Sequence, residues 1–166
     1  MKPIIYANAD CTRIITDPTV TKGSVGGFAV SGRSSTKAIS KILDLTQDNY
    51  FIGQGAGLNT TPSPSTTLGK YNSFFGYQAG RENKLGFRNI FLGYQAGKNA
   101  TGSANNVFIG YKCGFDASSG QNNIFIGTNA GINSSGSTNI FIGDSSGFYN
   151  SDGYDNVFLG YAAGLN

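Results

Sequence analysis

Asn89-Ile90-Phe91-Leu92-Gly93-Tyr94-Gln95-Ala96-Gly97 decides the fold, because the chain keeps repeating it. Close copies occupy 72–80, 106–114, 123–131, 139–147 and 156–164, and a looser copy occupies 49–57. The central glycines are Gly53, Gly76, Gly93, Gly110, Gly127, Gly143 and Gly160, spaced by 23, 17, 17, 17, 16 and 17 residues. A fixed short period is the signature of stacked coils, each one a unit that buries its apolar face only against its neighbours.

Positions are numbered here from the leading Asn. Position 2 is mostly Ile or Val: Ile90, Val107, Ile124, Ile140 and Val157. Position 3 is Phe from residue 74 onward, and position 4 is Phe75, Leu92, Ile109, Ile126, Ile142 and Leu159. Positions 5 and 9 are Gly, and position 8 is small: Ala79, Ala96, Cys113, Ala130, Ser146 and Ala163. Three bulky apolar residues between Asn and Gly read as a short strand, and nothing within a repeat recurs at a helical period. A second glycine-rich turn lies near Gly86, Gly102, Gly120, Gly136 and Gly153, so each coil is expected to hold two short strands and two turns.

Stacking the coils places equal positions over one another, about 4.8 Å apart. Phe then lies over Phe, and Asn over Asn in a side-chain amide ladder. Within a strand, the Phe points one way and positions 2 and 4 point the other, so both faces are apolar. A slender coil has a single interior, and an apolar stripe along its other face needs a cover. The assignment adopted puts Phe inside, opposite the small position 8. It turns Ile90, Leu92, Val107, Ile109, Ile124, Ile126, Ile140, Ile142, Val157 and Leu159 toward other copies of the chain. The reverse assignment, with Phe toward the copies, is the alternative. Symmetric homo-oligomers about an axis parallel to the stack are the usual solution.

The 23-residue spacing is a 17-residue coil with six extra residues, expected as an exposed loop at Thr60-Thr61-Pro62-Ser63-Pro64-Ser65-Thr66-Thr67. Residues 1–48 form a different segment. Ile4–Ile14 overlays Ile42–Ile52 at a constant offset of 38 residues. Residues 35–45 also carry a helix-like spacing. The overlay favours a strand at 42–45, matching a strand at 3–8. Phe28-Ala29-Val30 reads as another short strand between glycine turns.

Composition excludes several functions. Only 13% of residues are charged, against about 25% in an average protein, and the net charge is +3. The basic residues read as scattered, with no stripe of the kind nucleic-acid binding needs. There is no histidine, which removes Ser-His-Asp and Cys-His catalysis and the commonest metal ligand. Cys11 and Cys113 form no zinc spacing or disulfide framework, and Cys113 reads as a small buried side chain. Phe51-Ile52-Gly53-Gln54-Gly55-Ala56-Gly57 mimics the opening of a dinucleotide site, but the third glycine position is Leu58 and a Pro-rich loop follows instead of a helix. No cofactor and no enzymatic activity are expected. No apolar run approaches a membrane span, so no membrane insertion is expected either. The opening Met1–Tyr6 is too short for a signal peptide, and no atypical capping unit closes the repeats, which suggests a segment of a longer protein.

Two side-chain sets remain for function. Position 6 is Tyr77, Tyr94, Tyr111 and Tyr161, a row at a coil corner that can stack on sugars or a partner, or simply stiffen the rod. Acidic residues are sparse, and Asp116, Asp144, Asp152 and Asp155 are the candidates near one end. Glycosidase chemistry would need two of them facing across a cleft, and a calcium loop at 151–155 would need converging oxygens. A solvated turn is the simpler reading.

The phrase Asn-aliphatic-Phe-aliphatic-Gly-x-x-Ala resembles the head repeats of trimeric autotransporter adhesins, the YadA-like heads, and similar repeats of phage tail fibres and bacterial surface proteins. The likeness covers 49–166. Gly26-Gly27-Phe28-Ala29-Val30-Ser31-Gly32-Arg33 resembles segments that precede such repeats in Bacteroidetes-type surface or fibre proteins. The coils here are longer than in those heads, and Phe replaces a small residue. The resemblance implies a left-handed roll, a homotrimer, an extracellular, cell-surface or virion location, and attachment to a glycan or host-surface receptor. The expected fold is therefore all-β: a parallel β-solenoid of about 17-residue coils, seven repeats over 49–166 with the last incomplete, after an N-terminal β segment at 1–48. The expected function is a structural and adhesive rod. The alternative is a carbohydrate-binding or carbohydrate-processing β-helix.

Overall fold

The computed structural model describes residues 4–7, 12–15, 28–31 and 41–165. Among them every regular element is a strand. Seven parallel strands form the solenoid: β5 (Asn49–Ile52), β6 (Asn72–Phe75), β7 (Ile90–Leu92), β8 (Val107–Ile109), β9 (Ile124–Ile126), β10 (Ile140–Ile142) and β11 (Val157–Leu159). Each pairs in register with its copy one coil on, so Phe51, Phe74, Phe91, Phe108, Phe125, Phe141 and Phe158 fall in one column.

That column is the core. The rings of Phe51 through Phe158 stack at centroid separations of 4.7–4.9 Å, with interplanar angles of 4–11°. Facing them are the small residues of position 8, and Cys113 is buried among them as expected. The assignment of Phe to the interior is correct, and position 9 shows why its partner is Gly. A Cβ at Gly97 would lie 2.5 Å from the Phe91 ring, and the backbone there is left-handed at φ +56°. Position 5 is fixed by a different contact. A Cβ at Gly93 would lie 2.3 Å from the Gly110 carbonyl oxygen of the next coil, at φ +139°.

The leading asparagines form the expected ladder. In one step, Asn89 Oδ1 accepts from the backbone N–H of Asn106 at 3.0 Å and from Asn106 Nδ2 at 3.2 Å, while Asn106 Nδ2 also donates to the Gly120 carbonyl at 2.9 Å. The same arrangement joins Asn49 to Asn72, Asn72 to Asn89 and Asn139 to Asn156. These side chains take the place of strand pairing where the chain enters each coil, and the ones from Asn49 to Asn139 are fully buried.

The expected second strand per coil does not form. Its place is taken by isolated bridges, Phe87 to Ala104 and Ala104 to Gln121. One cause is visible. The residue before each leading Asn is left-handed (Arg88, Asn105, Asn122, Thr138 and Asp155, φ +56° to +62°), which breaks the extended run into the next strand.

The six-residue insertion sits as expected. Thr61 N–H still donates to Lys84 O and Gly69 N–H to Leu85 O, so the coil resumes on either side of the exposed loop, which Ser63 N–H closes on Leu68 O. Upstream, β3 (Phe28–Ser31) and β4 (Lys41–Leu45) continue the sheet as antiparallel strands onto β5. β1 (Ile4–Ala7) and β2 (Thr12–Ile15) form a separate antiparallel pair. The 38-residue overlay proves structural. Leu43 pairs Ile52 and Leu45 pairs Tyr50, while Ile5 pairs Ile14 and Ala7 pairs Thr12, the same register 38 residues earlier. Strand, not helix, is the state of 41–45. Cys11 and half of the Gly26–Arg33 phrase lie outside the described residues.

Candidate functional site

Positions 2 and 4 of every coil point away from the Phe column. Ile90 and Leu92 are each 47% exposed, and Val157 and Leu159 at the last coil 69% and 75%. Ile124, Ile140 and Ile142 are also exposed, and Val107, Ile109 and Ile126 are half-buried against their neighbours in the column. All ten side chains assigned to this face therefore lie on it. The stripe extends further than the assignment: Ile42, Tyr50 and Ile52 are exposed on the first strands, and Phe75 is half-buried. No position 2 or 4 carries a charge.

The tyrosine row lies one residue past the glycine that ends each strand. Tyr77, Tyr94 and Tyr111 stack at 5.2 Å between centroids, 12° and 8° apart. Consequently Tyr94 has a tyrosine on each face and offers solvent its edge and hydroxyl. A sugar ring, which stacks on a face, has no access there. The ladder ends at Tyr111, because position 6 of the next coils is Thr128 and then Asp144. Tyr161, in the last coil, stands apart at 83% exposed. Beside the ladder runs a short amide chain: Gln95 Nε2 donates to Gln78 Oε1 at 3.0 Å, and Gln78 Nε2 to the Tyr77 hydroxyl at 3.2 Å.

A third arrangement escaped sequence reasoning. The lysines and arginines are not scattered within the solenoid. Lys70, Arg81, Lys84, Arg88, Lys98 and Lys112 all fall between residues 70 and 112, with Glu82 the one acid among them. From 113 onward there are four aspartates and no base. Two of the bases converge on one ring. Lys98 Nζ lies 5.3 Å from the Phe115 centroid, and Lys112 Nζ lies 5.7 Å from it and 5.5 Å from that of Tyr111. Position 10 in successive coils is Arg81, Lys98 and Phe115, a column that aligning the coils past position 9 would have revealed.

The carboxylates are otherwise engaged or solitary. Glu82 accepts from Asn59 Nδ2 at 2.5 Å and lies 3.5 Å from Arg81 Nε, while Asp116 accepts from Asn99 Nδ2 at 2.6 Å. Asp144 accepts from the hydroxyl of its neighbour Ser145, and Asp152 and Asp155 are exposed in their turn. No group of three His, Cys, Asp or Glu suited to a metal occurs among the described residues. Burial pushes the Cys113 thiol far above its usual range, and its Sγ donates to the Phe125 carbonyl at 3.2 Å, so its role is packing. No helix among the described residues is long and apolar enough to cross a membrane. No protein-family model, curated protein or solved structure matches the chain.

Proposed function

We propose that residues 49–166 are a segment of a structural and adhesive rod, a left-handed roll that assembles as a homotrimer in a surface adhesin or tail fibre and acts outside the cell or on a virion. One observation carries the reading: the aliphatic stripe of positions 2 and 4. The Phe column already completes a coil's interior without it. The stripe runs over the seven parallel strands, with Tyr50, Ser73 and Phe75 among its members on the first two, and its side chains are exposed or half-buried on a single chain. Contiguous apolar patches of this kind mark contact surfaces. A parallel, in-register copy presents the same stripe at the same pitch, so a rotation axis along the stack buries every coil's aliphatics alike. The YadA-like resemblance of the repeat phrase supports three copies and the left hand.

The test is the mass of the purified chain by light scattering, with Ile109→Asp/Ile126→Asp as the perturbation. Both side chains lie on the outer face, so a single chain keeps its coils while the oligomer falls to monomer. A wild-type chain that is monomeric with a native far-ultraviolet spectrum refutes the proposal.

A further inference from the structure

We infer that the corner formed by Lys98, Tyr111, Lys112 and Phe115 binds an acidic polysaccharide, a sugar chain bearing carboxylate groups. The inference rests on the rod's presenting a surface to partners, and it names the ligand class. Two ammonium groups stand within 6 Å of one phenyl centroid. Ion pairing does not account for them, because among the described residues neither lysine has a carboxylate within 4.0 Å. The carboxylates close by in sequence are committed, Asp116 to Asn99 and Glu82 to Arg81 and Asn59. Both ammonium groups therefore keep N–H donors that no carboxylate among the described residues takes, and a ligand carboxylate would supply the missing acceptor.

The position of the pair is equally informative. Lys112 follows Tyr111, where the tyrosine ladder stops and no further ring stacks on the C-terminal side. This is therefore the one end of the Tyr77–Tyr94–Tyr111 ladder that combines a terminal ring with cations. The half-exposed Tyr111 and Phe115 rings offer apolar surface to a sugar, and ammonium groups take its carboxylates. Below it the tyrosine edges and the Gln78–Gln95 amides offer hydrogen-bonding groups along the rod axis, suited to a hydroxyl-rich chain. The sparse charge argues against nucleic acid, whose closely spaced phosphates call for a dense basic stripe. Beyond Asp116, which lies beside Phe115 and accepts from Asn99, the solenoid carries Asp144, Asp152 and Asp155 and no base, so an anionic ligand is favoured on the basic half.

The experiment is titration of the purified chain with alginate, a polyuronate, at low and at physiological salt, with neutral dextran and duplex DNA as comparisons. Binding to alginate that weakens with salt, with no binding to dextran, is expected. Lys98→Ala/Lys112→Ala should weaken it by about tenfold or more. Lys70→Ala/Arg88→Ala, on other columns, should change it less than twofold. The lysine variant should unfold at the wild-type temperature, since both side chains lie outside the core. Failure of alginate to bind, unchanged binding by Lys98→Ala/Lys112→Ala, or equal affinity for DNA each overturns the inference. Light scattering on the same samples reports the oligomer separately, so loss of glycan binding with an intact oligomer leaves the rod reading standing.

Discussion

Replacing Asn106 by Ala tests whether the amide ladder holds the coils together. Asn106 is fully buried and makes three side-chain bonds: Oδ1 accepts from Asn123 N–H at 2.8 Å, and Nδ2 donates to Asn89 Oδ1 and to Gly120 O. Alanine keeps the backbone bond from Asn106 N–H to Asn89 Oδ1 but strands the Asn123 N–H and the Gly120 carbonyl in the interior. A buried unpaired group costs about 1–3 kcal/mol, so the two together cost about 2–6 kcal/mol, a large fraction of a domain's stability. Asn106→Asp separates the two halves of the amide. It retains the acceptor for Asn123 N–H, while its second oxygen faces two other acceptors. Burial and those acceptors raise its folded pKa above the unfolded value of about 3.9. Its stability is therefore best below the unfolded pKa and falls as pH rises through the folded one. Urea unfolding of the three proteins across pH 3.5–8 measures both effects. A loss under 1 kcal/mol for Asn106→Ala, or a pH-independent deficit for Asn106→Asp, refutes the ladder as a principal support.

Two further outcomes follow from the packing. Gly93→Ala should prevent cooperative folding, because its Cβ lands on the Gly110 carbonyl at a φ of +139°, whereas Gly102→Ala, whose Cβ meets nothing closer than Ser118 O at 4.0 Å, should shift the midpoint little; thermal melts of both decide it. Cys113 should resist a thiol reagent in the folded chain at pH 8 and react at once in denaturant, since burial holds its thiol protonated well above that pH; rapid labelling of the native protein would contradict the packing role.

What was legible in the sequence was whatever a column repeats with one chemistry. Phe at position 3 against Ala, Cys or Ser at position 8 favoured a large residue meeting a small one across a narrow interior, with the reverse assignment left as the alternative. The glycine at position 9, now seen under the Phe ring, belongs to the same fit. What stayed hidden was backbone conformation carried by residues with no common chemistry. Position 7 is left-handed in Gln78, Gln95, Lys112, Asn129, Ser145 and Ala162 alike. Such a conformation costs an L-residue about 1–2 kcal/mol, so a glycine would be the expected signal. The corner is held instead by its neighbours: Gln95 N–H donates to Tyr77 O below and Ala96 N–H to Gly93 O within the turn. Stacking imposes the conformation, so any residue serves, and the sequence carries no mark of it.

The same distinction separates the two candidate surfaces. A column read one residue at a time left the tyrosines at position 6 as either a ligand-facing row or a ladder that stiffens the rod. Stacking them 5.2 Å apart closes the faces of Tyr94 and leaves chemistry at the ladder's end, where the repeat is interrupted by Thr128. In a solenoid the regular positions satisfy each other along the stack. Recognition then falls to two places: a face that has no partner within the chain at all, and a column that breaks. The aliphatic stripe is the first kind, the face proposed to take copies of the chain. The corner of Lys98, Tyr111, Lys112 and Phe115 is the second, the place proposed to take a different molecule.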